Sequence, residues 1–331
     1  MKIPIEKCIG QGYDGANVMS GIYNGLQQKI KNIQQNAEYV HCASHNLNLV
    51  IKDAIEKNKD VSAFFVTLQE IYSFFGNSIN RWDLLSKFTG ESNVTLKKLN
   101  PTRWSGRLTS LLAVKLRYLD IIKSLTHLML TEKKEIRDEA QNIKDRMEKF
   151  EFIFMCVFLH KILAEINLAS KVLQKKNVDL DEAKTVLNQA YNKVSESRSK
   201  FTEIKGEAAE IARTWNVPLE FQKKRQPKVK HHFDELAKNY HFSSREDMFR
   251  VGIFNVVIDT ISHQLHERFK SMEKLRNYFG FLDPQRLSTL KDKDILKECE
   301  KLQKKYSTFL SEQFSLQFIQ VKRIAKCKRF C

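Results

Sequence analysis

Apolar residues recur at helical spacing along most of this chain. After about residue 60 they fall roughly three to four positions apart, which predicts amphipathic helices that each bury one face. Asp179 is a suitable N-cap for one of these helices, and Glu182 follows it at the spacing of a capping box. The predicted helices cover residues 61–78, 81–98, 105–130, 132–145, 150–176, 180–214 and 244–275.

The first 60 residues follow a different pattern, in which short apolar runs alternate with helical ones. Residues 5–10, IEKCIG, predict a strand that runs into the glycine-rich turn GQGYDG. A helix is expected over 16–33, a short strand over 39–42, and a second helix capped by Ser44. This β-α-β-α order is typical of helices packed on a sheet.

Composition supports a helix-rich fold. Five prolines and eleven glycines among 331 residues provide little turn chemistry, and 42% apolar residues suffice for one large core or two modest ones. We therefore predict an α-rich α+β protein, with a small sheet at the N-terminus and few strands after residue 45.

The net charge of +17 favours polyanionic partners, because binding to phosphates releases condensed counterions. A lysine-rich solvated surface is the alternative interpretation. The basic character is concentrated in a linker at 221–236 and in a tail at 322–329. The linker is either a solvated loop or a phosphate-binding patch. Its candidate DNA-contacting residues are Lys223, Lys224, Arg225, Lys228 and Lys230.

Cysteine usage and hydropathy indicate an intracellular, soluble protein. Six cysteines are spread thinly without any CxxC pair, as is usual for free thiols in a reducing compartment. No signal peptide is visible, and the most apolar window, residues 152–159, is ended by His160 and is too short to span a bilayer. No membrane partner is expected.

The first candidate site is the motif GQGYDGANVM around Asp14. Gly10, Gly12 and Gly15 allow the backbone to turn tightly beside the carboxylate, which is expected just past the end of the first strand. A carboxylate there suits Mg²⁺, which prefers oxygen ligands. The alternative is an ordinary turn aspartate that caps the next helix. The match to a dinucleotide-binding motif is too loose to support that function.

The second candidate is His41-Cys42-Ala43-Ser44-His45. Cys42 and His45 resemble half of a zinc site, but no partner pair with suitable spacing occurs elsewhere. A cysteine nucleophile paired with a histidine is also conceivable, although no third orienting group can be identified.

The third candidate is Pro101-Thr102-Arg103-Trp104. Trp104 could stack on a base and Arg103 could bind a phosphate. More often such a tryptophan anchors the core at the start of a helix.

Taken in order, GQGYDGANVMSG, YVHCASHNLNLV and PTRW resemble the catalytic-core signature of hAT-family transposases. The closest variant is the group found in zinc-finger MYM-type-like proteins. Two further segments, KFEFIFMCVFLHKILAEINLASKVLQ and FRVGIFNVVIDTISHQLHERF, extend the resemblance over essentially the whole chain.

The resemblance implies a ribonuclease H-like fold interrupted by a large all-helical insertion. It assigns residues 1–104 to a partial ribonuclease H-like core, 105–280 to the insertion, and 281–331 to a basic helical segment. Intact members bind divalent metal with two aspartates and one glutamate, and they cut and rejoin DNA by two-metal phosphoryl transfer.

Individual residues match family elements. Asp14 matches the second aspartate and is a weak Mg²⁺ ligand by itself. Cys42 and His45 match the C-x-x-H element, and Arg103 and Trp104 match the R-W element, whose tryptophan is implied to stack on a flipped base.

Two departures from the family concern catalysis. Only thirteen residues precede Asp14, so the strand with the first aspartate is missing, and no motif with the catalytic glutamate is found before Cys331. Glu38, expected in an exposed loop, and Asp53, expected on the polar face of a helix, are not substitutes.

The sequence therefore predicts a transposase-derived fragment without catalysis that binds DNA weakly. Protein partners are also expected, but no small-molecule substrate and no cofactor, and the resemblance implies the nucleus. The alternatives are a helical protein-interaction module, or an active metal-dependent transposase if the chain is part of a longer protein.

Overall fold

The computed structural model describes residues 4–90, 94–99, 104–222 and 244–327. Within these ranges most residues are helical and the strands form one parallel two-stranded sheet. The predicted α-rich character and the scarcity of strands after residue 45 are therefore confirmed.

Contacts divide the chain into two compact units. The first unit comprises Met1–Leu49, Ala169–Tyr191 and Gln264–Cys331, and the second comprises Val50–Leu168 and Asn192–His263. Each unit is therefore assembled from segments that are not contiguous in sequence. The contiguous segments expected from the resemblance remain predictions.

Several elements begin or lie in the first unit. They are β1 (Gly10–Tyr13), α1 (Asn17–Ser20), α2 (Leu26–Ile33), β2 (Glu38–His41) and α3 (Ala43–Glu56). The helices α4 (Lys59–Gly76), α5 (Ile79–Thr89), α6 (Trp104–Leu116), α7 (Tyr118–Thr131), α8 (Lys134–Met147) and α9 (Phe150–Leu173) follow.

The remaining helices complete both units. They are α10 (Leu180–Glu196), α11 (Phe201–Thr214), α12 (Arg245–Phe249), α13 (Val256–Phe279), α14 (Pro284–Thr289), α15 (Asp292–Lys305) and α16 (Phe314–Cys327). The helices α3, α9, α10 and α13 contribute residues to both units.

The sheet pairs β1 with β2 in parallel, through a crossover that contains α1 and α2. The second strand is where the sequence predicts it. The predicted position of the first strand, residues 5–10, was wrong. The strand is formed by the next residues, GQGY, and Ile5–Lys7 form a short 3-10 helix. Gln11 anchors this strand: its side chain is buried and its Nε2 donates to the carbonyl of Ala37 at 3.1 Å.

The predicted helix over 16–33 is interrupted. It consists of α1 and α2, separated by a turn that runs from Gly21 to Gly25. Glycine is a poor helix former, so two glycines four positions apart end the first helix early. Val18 and Ile22, which one continuous helix would place on the same face as Leu26, are 79% and 66% exposed.

Other predicted helices are shorter or divided. The 81–98 prediction ends at Gly90, whose φ of 63° terminates α5. The 105–130, 180–214 and 244–275 predictions are each divided, the last by a π-helical stretch at Arg250–Asn255. The N-cap prediction is confirmed, since the Asp179 carboxylate accepts a hydrogen bond from Glu182 N at 2.7 Å.

The core of the second unit is built around α9. Phe154 and Phe158 of this helix contact Phe254, and Phe154 also contacts Phe201 and Phe249. By length and composition α9 is the one described helix that could cross a membrane, but 67% of its apolar window is buried inside the protein, as in a core helix. The helix continues through His160, as the predicted helix over 150–176 does.

The C-terminal part of the first unit packs α15 against α16. Ile295, Cys299 and Leu302 of α15 form its core with Phe281 and Ile319. In this arrangement Lys305 of α15 lies next to Glu38 at the start of β2.

Candidate functional site

The two strands end together at one edge of the sheet. Tyr13 pairs with His41, and the backbone N–H of Cys42 donates to the Tyr13 carbonyl at 2.9 Å. Asp14 follows β1 directly, as predicted, and His45 lies in the first turn of α3. The register of a parallel pair thus brings together two motifs about 30 residues apart in sequence.

Asp14 makes the contacts of a turn aspartate. Its side chain is exposed, and Oδ1 accepts a hydrogen bond from Ala16 N at 3.3 Å, next to the start of α1. The Tyr39 hydroxyl donates to the Asp14 carbonyl oxygen at 3.5 Å. This geometry is an Asx-type turn, as in the alternative interpretation, but the N-cap of α1 is Ala16 and Asp14 does not cap that helix.

Two half-buried histidines pack against a glycine at this edge of the sheet. The rings of His41 and His45 stack with centroids 5.2 Å apart. Both lie against Gly15, where a Cβ atom would come within 2.7 Å of His41 Cε1 and 3.1 Å of His45 Nε2. Burial lowers the pKa of His41, and the neighbouring His45 and Arg268 lower it further.

The described residues at this edge do not fit the metal centre of an active hAT transposase. Nowhere within the described ranges do three or more His, Cys, Asp or Glu side chains form a group that could hold a metal ion. The groups around Asp14 are imidazoles and a phenol, whereas Mg²⁺ prefers several oxygen ligands. Cys42 is exposed, and the ring neighbour of His45 is His41.

The remaining predicted contacts stay predictions. Arg103 and the linker residues Lys223, Lys224, Arg225, Lys228 and Lys230 lie outside the described residues. Trp104 is the first residue of α6, in the second unit.

The first unit also contains a large cleft that the sequence did not predict. Its volume is about 1390 Å³, and it is lined by seven basic and three acidic side chains together with Tyr39, Tyr278 and Phe281. The basic residues come from three places. Lys31 belongs to α2, and Lys274, Arg276 and Arg286 belong to α13 and α14. Lys301, Lys304 and Lys305 lie on one face of α15.

Two guanidinium groups in this cleft share one carboxylate. Arg276 Nε donates to Asp181 Oδ1, and Arg286 Nη1 lies 4.0 Å from Asp181 Oδ2. Both arginines pack on Gly280, where a Cβ atom would come within 2.7 Å of Arg286 Nη1 and 2.9 Å of Arg276 Cγ. One carboxylate cannot neutralise two guanidinium charges, so this cluster retains positive charge.

Lys305 connects the cleft to the sheet. Its Nζ lies 2.5 Å from the carboxylate of Glu38 and 3.9 Å from the ring centroid of Tyr278. The expectation that Glu38 lies in an exposed loop was therefore wrong. It begins β2, and its carboxylate is bound by a lysine that is 267 positions away in sequence.

Three other lysines of the cleft are available to a ligand. Lys31, Lys274 and Lys304 are exposed, and among the described residues none of them has an acidic partner within ion-pair distance. Lys301, by contrast, pairs with Glu298 at 2.8 Å.

The signals for this cleft were weak in the sequence. The α15 lysines repeat at i, i+3 and i+4, but such a repeat is also typical of a solvated helix face. Only the fold brings them next to Glu38 and Tyr39. No protein-family model matches this chain, and no solved structure matches it.

Proposed function

We propose that this chain is a DNA-binding protein derived from an hAT-like transposase and that it has no strand-transfer activity. The observation that carries the proposal is the parallel register of β1 and β2. It places Asp14 and the HCASH segment at the same sheet edge. Two parallel strands joined through helices, with both motifs at one edge, agree with the ribonuclease H-like core that the resemblance implies.

The electrostatics of the first unit support the DNA-binding part. The chain carries a net charge of +17, and seven basic side chains line one cleft. Phosphate recognition depends on such clusters, because each neutralised phosphate releases a counterion. Nuclear localisation belongs to the same proposal.

The surroundings of Asp14 support the lack of catalysis. Two-metal phosphoryl transfer needs ions about 3.5–4 Å apart, held by several carboxylates. Among the described residues, Asp14 is not part of any group of three or more His, Cys, Asp or Glu side chains that could hold a metal ion.

Binding of a labelled oligonucleotide by fluorescence anisotropy, measured over a range of salt concentrations, tests the proposed function. We expect measurable affinity at low salt that falls linearly on a log–log plot, with a slope of about 0.7 to 0.9 per contacted phosphate. No binding at low salt, or binding indifferent to salt, would contradict the proposal.

A protein-interaction function is the second candidate, and one surface favours it. Val18, Ile22 and Tyr23, in and after α1, are 79%, 66% and 89% exposed. Large exposed apolar side chains so close together are typical of docking surfaces. If this function is the correct one, Ile22→Asp and Tyr23→Ser will abolish partner capture while leaving the DNA titration unchanged.

A further inference from the structure

We infer that the basic cleft of the first unit binds one unpaired DNA strand, with Arg276 and Arg286 holding a backbone phosphate. This inference rests on the proposed DNA-binding function and assigns it to a place and a substrate class. It does not involve the Asp14 carboxylate or the predicted linker residues.

The arginine pair has the chemistry of a phosphodiester site. A guanidinium group presents several N–H donors in a fixed fork that matches phosphate oxygens. Arg276 and Arg286 are positioned by packing on Gly280, share the carboxylate of Asp181, and remain 31% and 42% exposed. They are therefore preorganised, and the single carboxylate leaves one positive charge to be matched by a ligand.

The surrounding lysines can contact neighbouring phosphates. Lys31, Lys274 and Lys304 are exposed on three different helices around the cleft, and among the described residues they lack acidic partners. Lys301 and Lys305 are already neutralised by Glu298 and Glu38. The cleft therefore offers a small number of cationic positions rather than a continuous cationic face.

The shape of the site favours an unpaired strand over a duplex. Proteins that read a duplex usually insert a helix or a β-ribbon into a groove, so their contact surface protrudes. Here the basic residues line a concavity, together with the partly exposed rings of Tyr39 and Tyr278. A basic groove with aromatic rings on which bases can stack is typical of single-strand binding. In a duplex, the base faces are hidden inside the stack.

The experiment compares four variants of the full chain by anisotropy, with an oligothymidine and a duplex of equal length as probes. The first variant, Lys31→Glu/Lys274→Glu/Lys304→Glu, removes the unpaired cations of the cleft. Its matched control makes the same charge change at exposed lysines of the second unit, Lys123→Glu/Lys133→Glu/Lys134→Glu. We expect the cleft variant to bind the single strand at least about tenfold more weakly, with the salt slope reduced by about two units. The control should retain most of the affinity.

The other two variants test for a gain in affinity, which misfolding cannot mimic. Asp181→Asn removes the carboxylate that competes with phosphate for Arg276 and Arg286. We expect it to bind the single strand severalfold more tightly than the wild type. Its control, Asp138→Asn, changes the same charge at an exposed position of the second unit and should have a much smaller effect.

The outcomes separate the inference from the proposed function. If the wild type binds DNA but the cleft variant and its control weaken equally, or Asp181→Asn does not tighten binding, the cleft assignment is wrong and DNA binding stands. Equal or tighter binding of the duplex overturns the single-strand assignment. If polyglutamate competes as well as the oligothymidine, the cleft binds any polyanion and the phosphodiester assignment is wrong. If the wild type binds neither probe at low salt, both proposals fail.

Discussion

The ring of Tyr118 lies flat on the indole of Trp215, with ring centroids 3.8 Å apart and planes inclined by 7°. Tyr118 is buried at the start of α7, and its hydroxyl donates to the Met147 carbonyl at 3.1 Å. Trp215 follows the last residue of α11. The stack and this hydrogen bond together link three helices of the second unit, α7, α8 and α11.

Two substitutions at these residues should lower the free energy of unfolding by different amounts. Trp215→Ala removes the stack and should lower the free energy of unfolding by about 2 kcal/mol, at the low end for large aromatic side chains because the indole is partly exposed. Tyr118→Phe keeps the ring and leaves the Met147 carbonyl without its donor, which should cost about 1 kcal/mol. Urea denaturation measures both. Unchanged stability of Trp215→Ala would show that the stack itself contributes nothing.

Gly15 should be intolerant of a side chain. A Cβ atom there would come within 2.7 Å of His41 Cε1, and the His41 ring is held between His45 and Tyr39. We expect Gly15→Ala to destabilise the protein by about 1–2 kcal/mol, as overpacking does. Gly12→Ala is the control, since its nearest non-local atom would be 3.7 Å away. Thermal denaturation of the two variants should rank them clearly, and equal midpoints would contradict the crowding.

The pKa of His41 predicts a loss of stability in mild acid. Burial, His45 and Arg268 lower this pKa from its ordinary value of 6.5, while Asp14 opposes the shift. Below pH 6.5 the unfolded chain therefore takes up a proton that the folded imidazole does not. The stabilisation is fully present above pH 6.5 and is lost as the pH falls towards the lowered value.

Comparison with His41→Gln between pH 5 and 8 isolates this effect. The variant should show a shallower dependence of the denaturation midpoint on pH. Burial is also the main cause of a lowered pKa at His160 in the second unit. His160 therefore contributes the same pH dependence of stability to the wild type and to His41→Gln. Direct titration by NMR would contradict the prediction if His41 titrates at or above 6.5.

Lys322 should be a specific structural link in the first unit. It is 4% exposed, and its Nζ donates at 2.7 Å both to the Leu290 carbonyl and to Asp292. Lys322→Met keeps the apolar stem but leaves that carbonyl without this donor, so we expect a loss of about 1–2 kcal/mol. Arg323→Ala is the control, because Arg323 is 70% exposed and 3.5 Å from the same carboxylate. Exposed ion pairs contribute little, and a comparable loss in both variants would contradict the prediction.

The sequence predicted the parts of this fold that depend on local pattern. Helical periodicity located α4, α8 and α9, and Asp179 marked the start of α10 because its side chain caps that helix. The pattern could not predict where long helices divide, since Ser197–Ser199 and Arg117 carry no strong breaking signal. It also misplaced β1, because a strand rich in glycine lacks the usual apolar alternation.

The residues of the candidate sites also differ in whether a local sequence pattern could predict them. Asp14 and the HCASH segment were found because their residues are close together in sequence and match a motif. The cleft was not, because its basic residues are separated by up to about 270 positions and meet only through the fold. Lysine spacing along α15 does not distinguish a ligand-binding face from a solvated one. The pairing of Lys305 with Glu38 could only be found in three dimensions.

The last prediction concerns catalysis, and it is that the chain cleaves neither hairpin nor duplex DNA with Mg²⁺ or Mn²⁺. Asp14 already accepts a hydrogen bond from Ala16, and its neighbours at the sheet edge are His41, His45 and Tyr39. Imidazoles are poor ligands for Mg²⁺, and a single carboxylate with waters binds this ion weakly. Asp14→Ala should therefore leave both background cleavage and single-strand affinity unchanged, as measured with a labelled substrate on a denaturing gel and by anisotropy. Cleavage that requires metal and disappears in Asp14→Ala would show that acidic groups do assemble around this residue, and it would favour the alternative of an active metal-dependent enzyme.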